Sequence, residues 1–307
     1  MRTGKPILHE VGLRDGLQME QQTVPTEQKT EWIRAIAATG VDIIQVGSFV
    51  HPAKVPQMAD TDHLFQILSA PDAVPPEVIL SALVLNEKGL DRGLACGVQM
   101  YCLGVSASET HSLKNTGMSV ADATERIIAT AQRALAENTQ VQVSVQSAFG
   151  CGFEGAVPQD RVLGIIRRYV DAGLRHISLA DTAGHASPDQ VERMVESVLA
   201  IDDNLDLACH FHNTYGMALA NCYAAMSAGV NSFESSIAGL GGCPFTKVAG
   251  GNVCTEDLVH MWQRMGIRND MHLNGLLDVA HRVVDWFQRD MPGTVYKTGG
   301  IPHGLHA

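Results

Sequence analysis

Short runs of apolar or β-branched residues alternate along the chain with longer stretches whose apolar positions recur every three or four residues. The runs at 7–12, 41–47, 78–85, 98–105, 141–149, 176–181, 206–212 and 231–237 read as strands, apolar enough to be buried on both faces. Helical stretches lie between them at about 26–39, 60–70, 87–95, 119–136, 158–172, 188–200, 214–228 and 255–265, and a further helix follows at about 272–289. Eight strand–helix units predict an α/β fold of the (β/α)8 TIM-barrel type with an extra C-terminal helix. An open doubly wound sheet would more often carry a G-x-G-x-x-G turn after its first strand, and this chain has none. Nothing in the pattern marks a boundary, so one domain is expected over 1–307. The barrel would span about 5–265, with a C-terminal helix and tail over about 266–307. Local signals agree. Ser187-Pro188-Asp189-Gln190 sets a capping Ser, a Pro at the first helical position and a Gln at the third. Glu256 and Asp257 fall in the first turn of the last barrel helix, where negative charge suits the helix dipole.

Composition narrows the function more than the fold. The 307 residues are 45% hydrophobic and 18% charged, the profile of a folded globular chain. Against 22 basic residues stand 33 acidic ones, a net charge of −11, which argues against nucleic acid or an anionic membrane as partner. Seven cysteines without a C-x-x-C pair argue against a disulfide framework and a closed zinc site. The first residues lack the apolar core of a signal peptide, and no run approaches the roughly 18 apolar residues that span a bilayer. A cytoplasmic protein with free thiols is expected. Barrels with an added C-terminal helix often associate, so a homo-oligomer, in the simplest case a dimer, is expected as well.

In such barrels chemistry sits at the carboxyl ends of the strands. The polar residues there are Arg14 and Asp15 after the first strand, Gln45 and Ser48 at the second, Asp181 at the sixth, and His210 and His212 at the seventh. Cys243 and Asn252 follow the eighth. His210 and His212, two apart on a strand, share a face and can reach one ion. With the Asp15 carboxylate and the Asn252 amide they make a mixed nitrogen and oxygen set, suited to Mg²⁺ or Mn²⁺. Two histidines hydrogen-bonded at a strand end are the ordinary alternative, and Asp15 weighs against it. Arg14 beside a cation would polarise a substrate oxygen. Its frame, Gly12-Leu13-Arg14-Asp15-Gly16, suggests close backbone approach to a ligand. The glycine-rich stretch around Cys243 reads as a water-excluding lid with a thiol acid or nucleophile. Cys96, Cys102, Cys209 and Cys222 read as core thiols. Most other histidines read as structural, except His185 on the active rim.

The segments GLRDGLQ (12–18), SFVHPAKVPQM (48–58), SLADTAGH (178–185), HFHNTYGMALAN (210–221) and GLGGCPFTKVAGGNVCTEDL (239–258) together resemble the 3-hydroxy-3-methylglutaryl-CoA lyases, over about residues 7–265. The resemblance implies a TIM-barrel lyase that cleaves a 3-hydroxyacyl-CoA by retro-Claisen chemistry, to acetyl-CoA and acetoacetate for the family substrate. It implies that Asp15, His210, His212 and Asn252 hold the divalent cation, and that Arg14 acts with it on the substrate oxygens. Asp181 and His210 would lie near the hydroxyl proton, and Cys243 would protonate the enolate. The chain departs from the family at Gln45, where Glu is usual, at Met19-Glu20-Gln21, at 150–155 and at 180–185. Gln45, Ser48 and His185 would face the acyl end, so a related thioester such as citramalyl-CoA, yielding pyruvate, is the alternative substrate. A Claisen-type synthase or aldolase, a silent barrel that binds metal or CoA, and a metal-dependent hydrolase are further alternatives. The hydrolase fits least, because no additional ligands for a catalytic water are in view.

Overall fold

The computed structural model describes residues 4–242 and 250–301. The strands are β1 (Ile7–Glu10), β2 (Ile43–Ser48), β3 (Ile79–Leu83), β4 (Met100–Ser106), β5 (Gln140–Gln146), β6 (His176–Asp181), β7 (Asp206–Phe211) and β8 (Ser232–Ser235). The helices are α1 (Thr26–Ala37), α2 (Thr61–Leu68), α3 (Glu87–Ala95), α4 (Glu109–Thr116), α5 (Val120–Ala136), α6 (Gln159–Asp171), α7 (Pro188–Leu199), α8 (Ala218–Ala228), α9 (Thr255–Arg264), α10 (Leu273–Phe287) and α11 (Val295–Thr298). All strands are parallel, each pairs with the next, and β8 closes on β1, so the sheet has no free edge. The barrel expected from the hydrophobic pattern is the observed one.

Alternation along each strand divides the barrel into two cores. Outward side chains such as Leu8, Ile44, Val46 and Leu80 pack under the helices in the main apolar cluster. Inward side chains fill the bore. At its amino end these are apolar, with Ile43 and Met100 backed by Ile7 and Ile79. Above them the bore turns polar. His9 on β1 meets Ser81 on β3 at 2.8 Å, and Gln142 on β5 donates across to Glu234 on β8 at 3.0 Å. Helix α10 packs on α1 through an edge-to-face contact of Trp286 with Trp32, ring centres 6.2 Å apart.

Local expectations fared unevenly. Pro188 does open α7, but the Ser187 hydroxyl donates to Asp189 Oδ1 at 2.5 Å instead of accepting from the helix. Gln190 does not close a capping box either, because its amide reaches the Phe149 carbonyl at 3.2 Å. Helix α4 was not anticipated, since the pattern suggested one helix per strand. Among the described residues no helix is long and apolar enough to cross a membrane, and the described cysteines are free.

Candidate active site

The turn after β1 aims the first two site residues. The amides of Arg14, Asp15 and Gly16 converge on the Val11 carbonyl, at 3.1, 2.7 and 3.4 Å, so the chain coils once over the barrel mouth. The flanking glycines pack closely against the β8 loop. A Cβ on Gly12 would stand 2.6 Å from Glu10 Oε1 and 2.9 Å from Ser236 Oγ, and one on Gly16 would stand 2.7 Å from Leu240 Cβ.

Asp15 then lies against the two histidines of β7 and its extension. Its Oδ2 is 3.7 Å from His212 Nε2 and 3.9 Å from His210 Nε2, and one ligand atom from each of the three fits within 4.8 Å of the others. Both imidazoles are oriented from behind. His212 Nδ1 donates to the Asp181 carbonyl at 3.0 Å, and His210 Nδ1 donates to Glu234 Oε2 at 2.9 Å. With both Nδ1 atoms engaged as donors, both Nε2 lone pairs turn toward Asp15. Asn252 is brought in by the segment after β8, which bridges back to His212. Its Nδ2 donates to Asp15 Oδ2 at 2.9 Å and to the Leu240 carbonyl at 3.0 Å. His212 Nε2 and Asn252 Oδ1 are buried without a hydrogen-bond partner among the described residues. Orphaned acceptors beside a carboxylate are what a divalent cation would satisfy, so the residues fit the group.

Charge organises the rest. Burial would raise the Asp15 carboxyl, but the Arg14 guanidinium and the two imidazoles hold it well below the usual carboxylate range. Burial likewise acts against the Glu234 anion, yet hydrogen bonding to His210 and Ser178 brings its carboxyl down to about 2. Arg14 is shared. Its NH1 donates to Asp15 Oδ1 at 2.5 Å, and its Nε donates to Gln45 Oε1. These residues open onto a cavity of about 350 Å³ that runs down the bore, past Gln45 and Cys102 to Gln142 and Glu234.

Other expected site residues lie off that cavity. Ser48, beyond a register irregularity at 45–47, is buried with its hydroxyl on the Leu83 carbonyl at 3.3 Å. Asp181 meets the site through its backbone carbonyl. Its carboxylate accepts the His185 and Ala186 amides at 2.9 and 3.0 Å, and burial pushes that carboxyl up. The His185 ring lies tilted against Tyr215, ring centres 5.8 Å apart. Cys243 lies outside the described residues. Glu234 was missed in the sequence. The available signal was a lone carboxylate in the short buried run NSFESSI (231–237), one strand from His210.

Fold and site together define a (β/α)8-barrel enzyme with an aspartate–bis-histidine cluster on the carboxyl-end rim. The HMGL-like family profile matches residues 5–283. The hydroxymethylglutaryl-CoA lyase YngG of Bacillus subtilis is 35% identical over 288 residues, 94% of this chain and 95% of that one. A 3-hydroxy-3-isohexenylglutaryl-CoA/hydroxymethylglutaryl-CoA lyase of Pseudomonas aeruginosa is 37% identical over 279 residues, 91% of this chain and 92% of its own. Among solved structures, the HMG-CoA lyase of Acinetobacter baumannii in complex with coenzyme A and 3-methylmalate superposes with a TM-score of 0.90 at 34% identity, covering 99% of this chain and 97% of that one. The chain belongs to the HMGL-like family and is a lyase.

Proposed function

We propose that the chain cleaves 3-hydroxy-3-methylglutaryl-CoA to acetyl-CoA and acetoacetate, with a divalent cation, Mg²⁺ or Mn²⁺, held by Asp15, His210, His212 and Asn252. The observation that carries this reading is the convergence of Arg14 and the Asp15–His210–His212 cluster on one cavity, in a chain similar along most of its length to lyases of that name. The cation, when bound, would supply the positive charge that makes a tertiary hydroxyl acidic enough to lose its proton near neutral pH.

Around that charge the chain's own groups have separable tasks. Arg14, steadied by Gln45 and Asp15, sets a guanidinium over the substrate oxygens and stabilises developing negative charge there. The hydroxyl proton passes to water in the cavity, because both His210 ring nitrogens are engaged, Nδ1 on Glu234 and Nε2 toward the cation, and the Asp181 carboxylate is held by loop amides. As the O–H bond breaks, its electron pair forms the new ketone carbonyl. The adjoining carbon–carbon bond breaks, and its pair passes to the thioester as an enolate. Protonation of that enolate at carbon releases acetyl-CoA, and Cys243 is the proposed acid. The acyl-CoA partner follows from the relatives' names.

Gln45 also keeps the second substrate in view, because a neutral amide beside Arg14 leaves Asp15 as the guanidinium's carboxylate partner. A mass-spectrometric assay with Mg²⁺ and thiol reductant tests both readings, offering 3-hydroxy-3-methylglutaryl-CoA and citramalyl-CoA together. Acetoacetate with acetyl-CoA is expected, strongly reduced in Cys243→Ala. Pyruvate with acetyl-CoA alone would transfer the same mechanism to the other acid. If neither acetoacetate nor pyruvate formed, the assignment of an acyl-CoA lyase substrate would be overturned.

A further inference from the structure

Glu234 stands where three neighbouring strands can be tied together. Its Oε1 accepts Ser178 Oγ from β6 at 2.7 Å and Gln142 Nε2 from β5 at 3.0 Å, while its Oε2 accepts His210 Nδ1 from β7 at 2.9 Å. A carboxylate 8% exposed is costly unless every lone pair finds a donor, and here side chains from three strands are spent on it. The two site histidines are also held differently. The Nδ1 of His212 is fixed by a backbone carbonyl, which no side-chain substitution removes, whereas that of His210 depends on one side chain.

We propose that Glu234 is the positioning residue of the cation site: by accepting from His210 Nδ1 it keeps the proton on that nitrogen and presents the Nε2 lone pair to the ion beside Asp15. The role rests on the cation reading of the preceding section, but it concerns a residue that would act on the ion through His210 and not as a ligand. Gln142 and Ser178 are its anchors. They hold Oε1, and so fix the direction in which Oε2 meets the imidazole.

Two readouts test the proposal without turnover. In metal-free protein labelled with ¹⁵N-histidine, long-range proton–nitrogen correlation is expected to show His210 as the Nδ1–H tautomer. Glu234→Gln offers an amide NH₂ in place of one carboxylate oxygen and is expected to populate the Nε2–H tautomer. Glu234→Asp is expected to keep the wild-type signature. Titration with Mn²⁺ alone should then show binding weakened about 10- to 100-fold in Glu234→Gln, with much of the loss recovered in Glu234→Asp. Both variants are compared only after their circular dichroism and melting profiles match the wild type. If Glu234→Gln did not fold, Gln142→Ala would carry the test, with a smaller loss in the same direction. A wild-type tautomer together with wild-type Mn²⁺ affinity in Glu234→Gln would overturn the proposal. If the wild-type protein itself bound no Mn²⁺, the cation reading would fall instead, and the tautomer would still decide the link between Glu234 and His210.

Discussion

Arg14 divides one guanidinium between a carboxylate on its own turn and an amide on the next strand, and that sharing gives the group a direction. A lysine keeps the charge and loses the fork. Arg14→Lys is therefore expected to lower kcat by roughly 10²- to 10³-fold, the scale of one lost oxyanion donor, with a much smaller change in KM. Steady-state kinetics on the acyl-CoA checks it; equal losses for Lys and Met at this position would support the fork, and a Lys variant with near-wild-type kcat would refute it. At this scale the sequence was most readable where residue type and spacing meet, as in His210-Phe211-His212 with Asp15. The bond from Arg14 to Gln45 was not readable, because it joins a turn to a strand residue 31 positions on. The Ser48 hydroxyl, read as facing substrate, is taken by a neighbouring carbonyl beyond a register irregularity that no periodicity announces.

Between β8 and α9 the chain is held at close quarters. A Cβ on Gly251 would stand 1.8 Å from the Gly239 carbonyl oxygen, and one on Gly250 would stand 2.2 Å from Thr214 Cα. Both contacts are with backbone, so neither neighbour can step aside. Gly251→Ala is expected to displace Asn252, weakening Mn²⁺ binding at least tenfold and lowering Tm by several degrees. Calorimetric titration and a melt measure the two effects, and a variant unchanged in both would contradict this account. The same segment rests on two buried carboxyls. Glu10 accepts the Gly12 and Ile237 amides, and Glu256 accepts the Ala238 amide at 3.1 Å. Burial raises Glu10 to about 7 and Glu256 to about 8, from an ordinary 4.5. Across that window the folded chain holds protons that the unfolded chain has released, so stability falls as pH rises from about 4.5 through about 8. Thermal melts of Glu256→Gln should show a flatter decline over that range, and an unchanged slope would remove Glu256 from the explanation. Glu256 was read as favourable first-turn charge and Glu10 was left in a strand; Ile237, across the barrel closure from Glu10, and Ala238, 18 positions before Glu256, are invisible to local pattern. Helix α4 escaped notice for a different reason. Its Ser108 cap and Gly117 terminus are in the sequence, but its surface is mostly polar and a second helix breaks the one-per-strand rhythm.

On the scale of the molecule, the site is laid on a scaffold already closed by hydrogen bonds and apolar packing. Removing the cation should therefore stop turnover without unfolding the chain. Chelation is expected to abolish activity and leave the barrel's circular dichroism unchanged. Adding back Mn²⁺ at a hundredfold excess over its Kd should stabilise the fold by about 2.7 kcal/mol, seen as a rise in Tm. A chelated sample that unfolds at room temperature would show that the cation holds the fold together. The architecture was legible almost entirely from the alternation of short and long apolar patterns, since burial on both faces of every strand leaves a strong signal. The polar upper bore was not, because side chains that meet across a barrel come from strands far apart in sequence.

The closure of β8 on β1 also governs when the protein becomes active in its own lifetime. Asp15 and Asn252, partners through a 2.9 Å hydrogen bond, are 237 positions apart. A chain growing from the ribosome makes Asp15 well before Asn252, and Asp15 waits for the segment after β8 before it has that partner. Until then no half-made barrel holds the full set of groups, so a copy not yet extended through Asn252 cannot squander thioester.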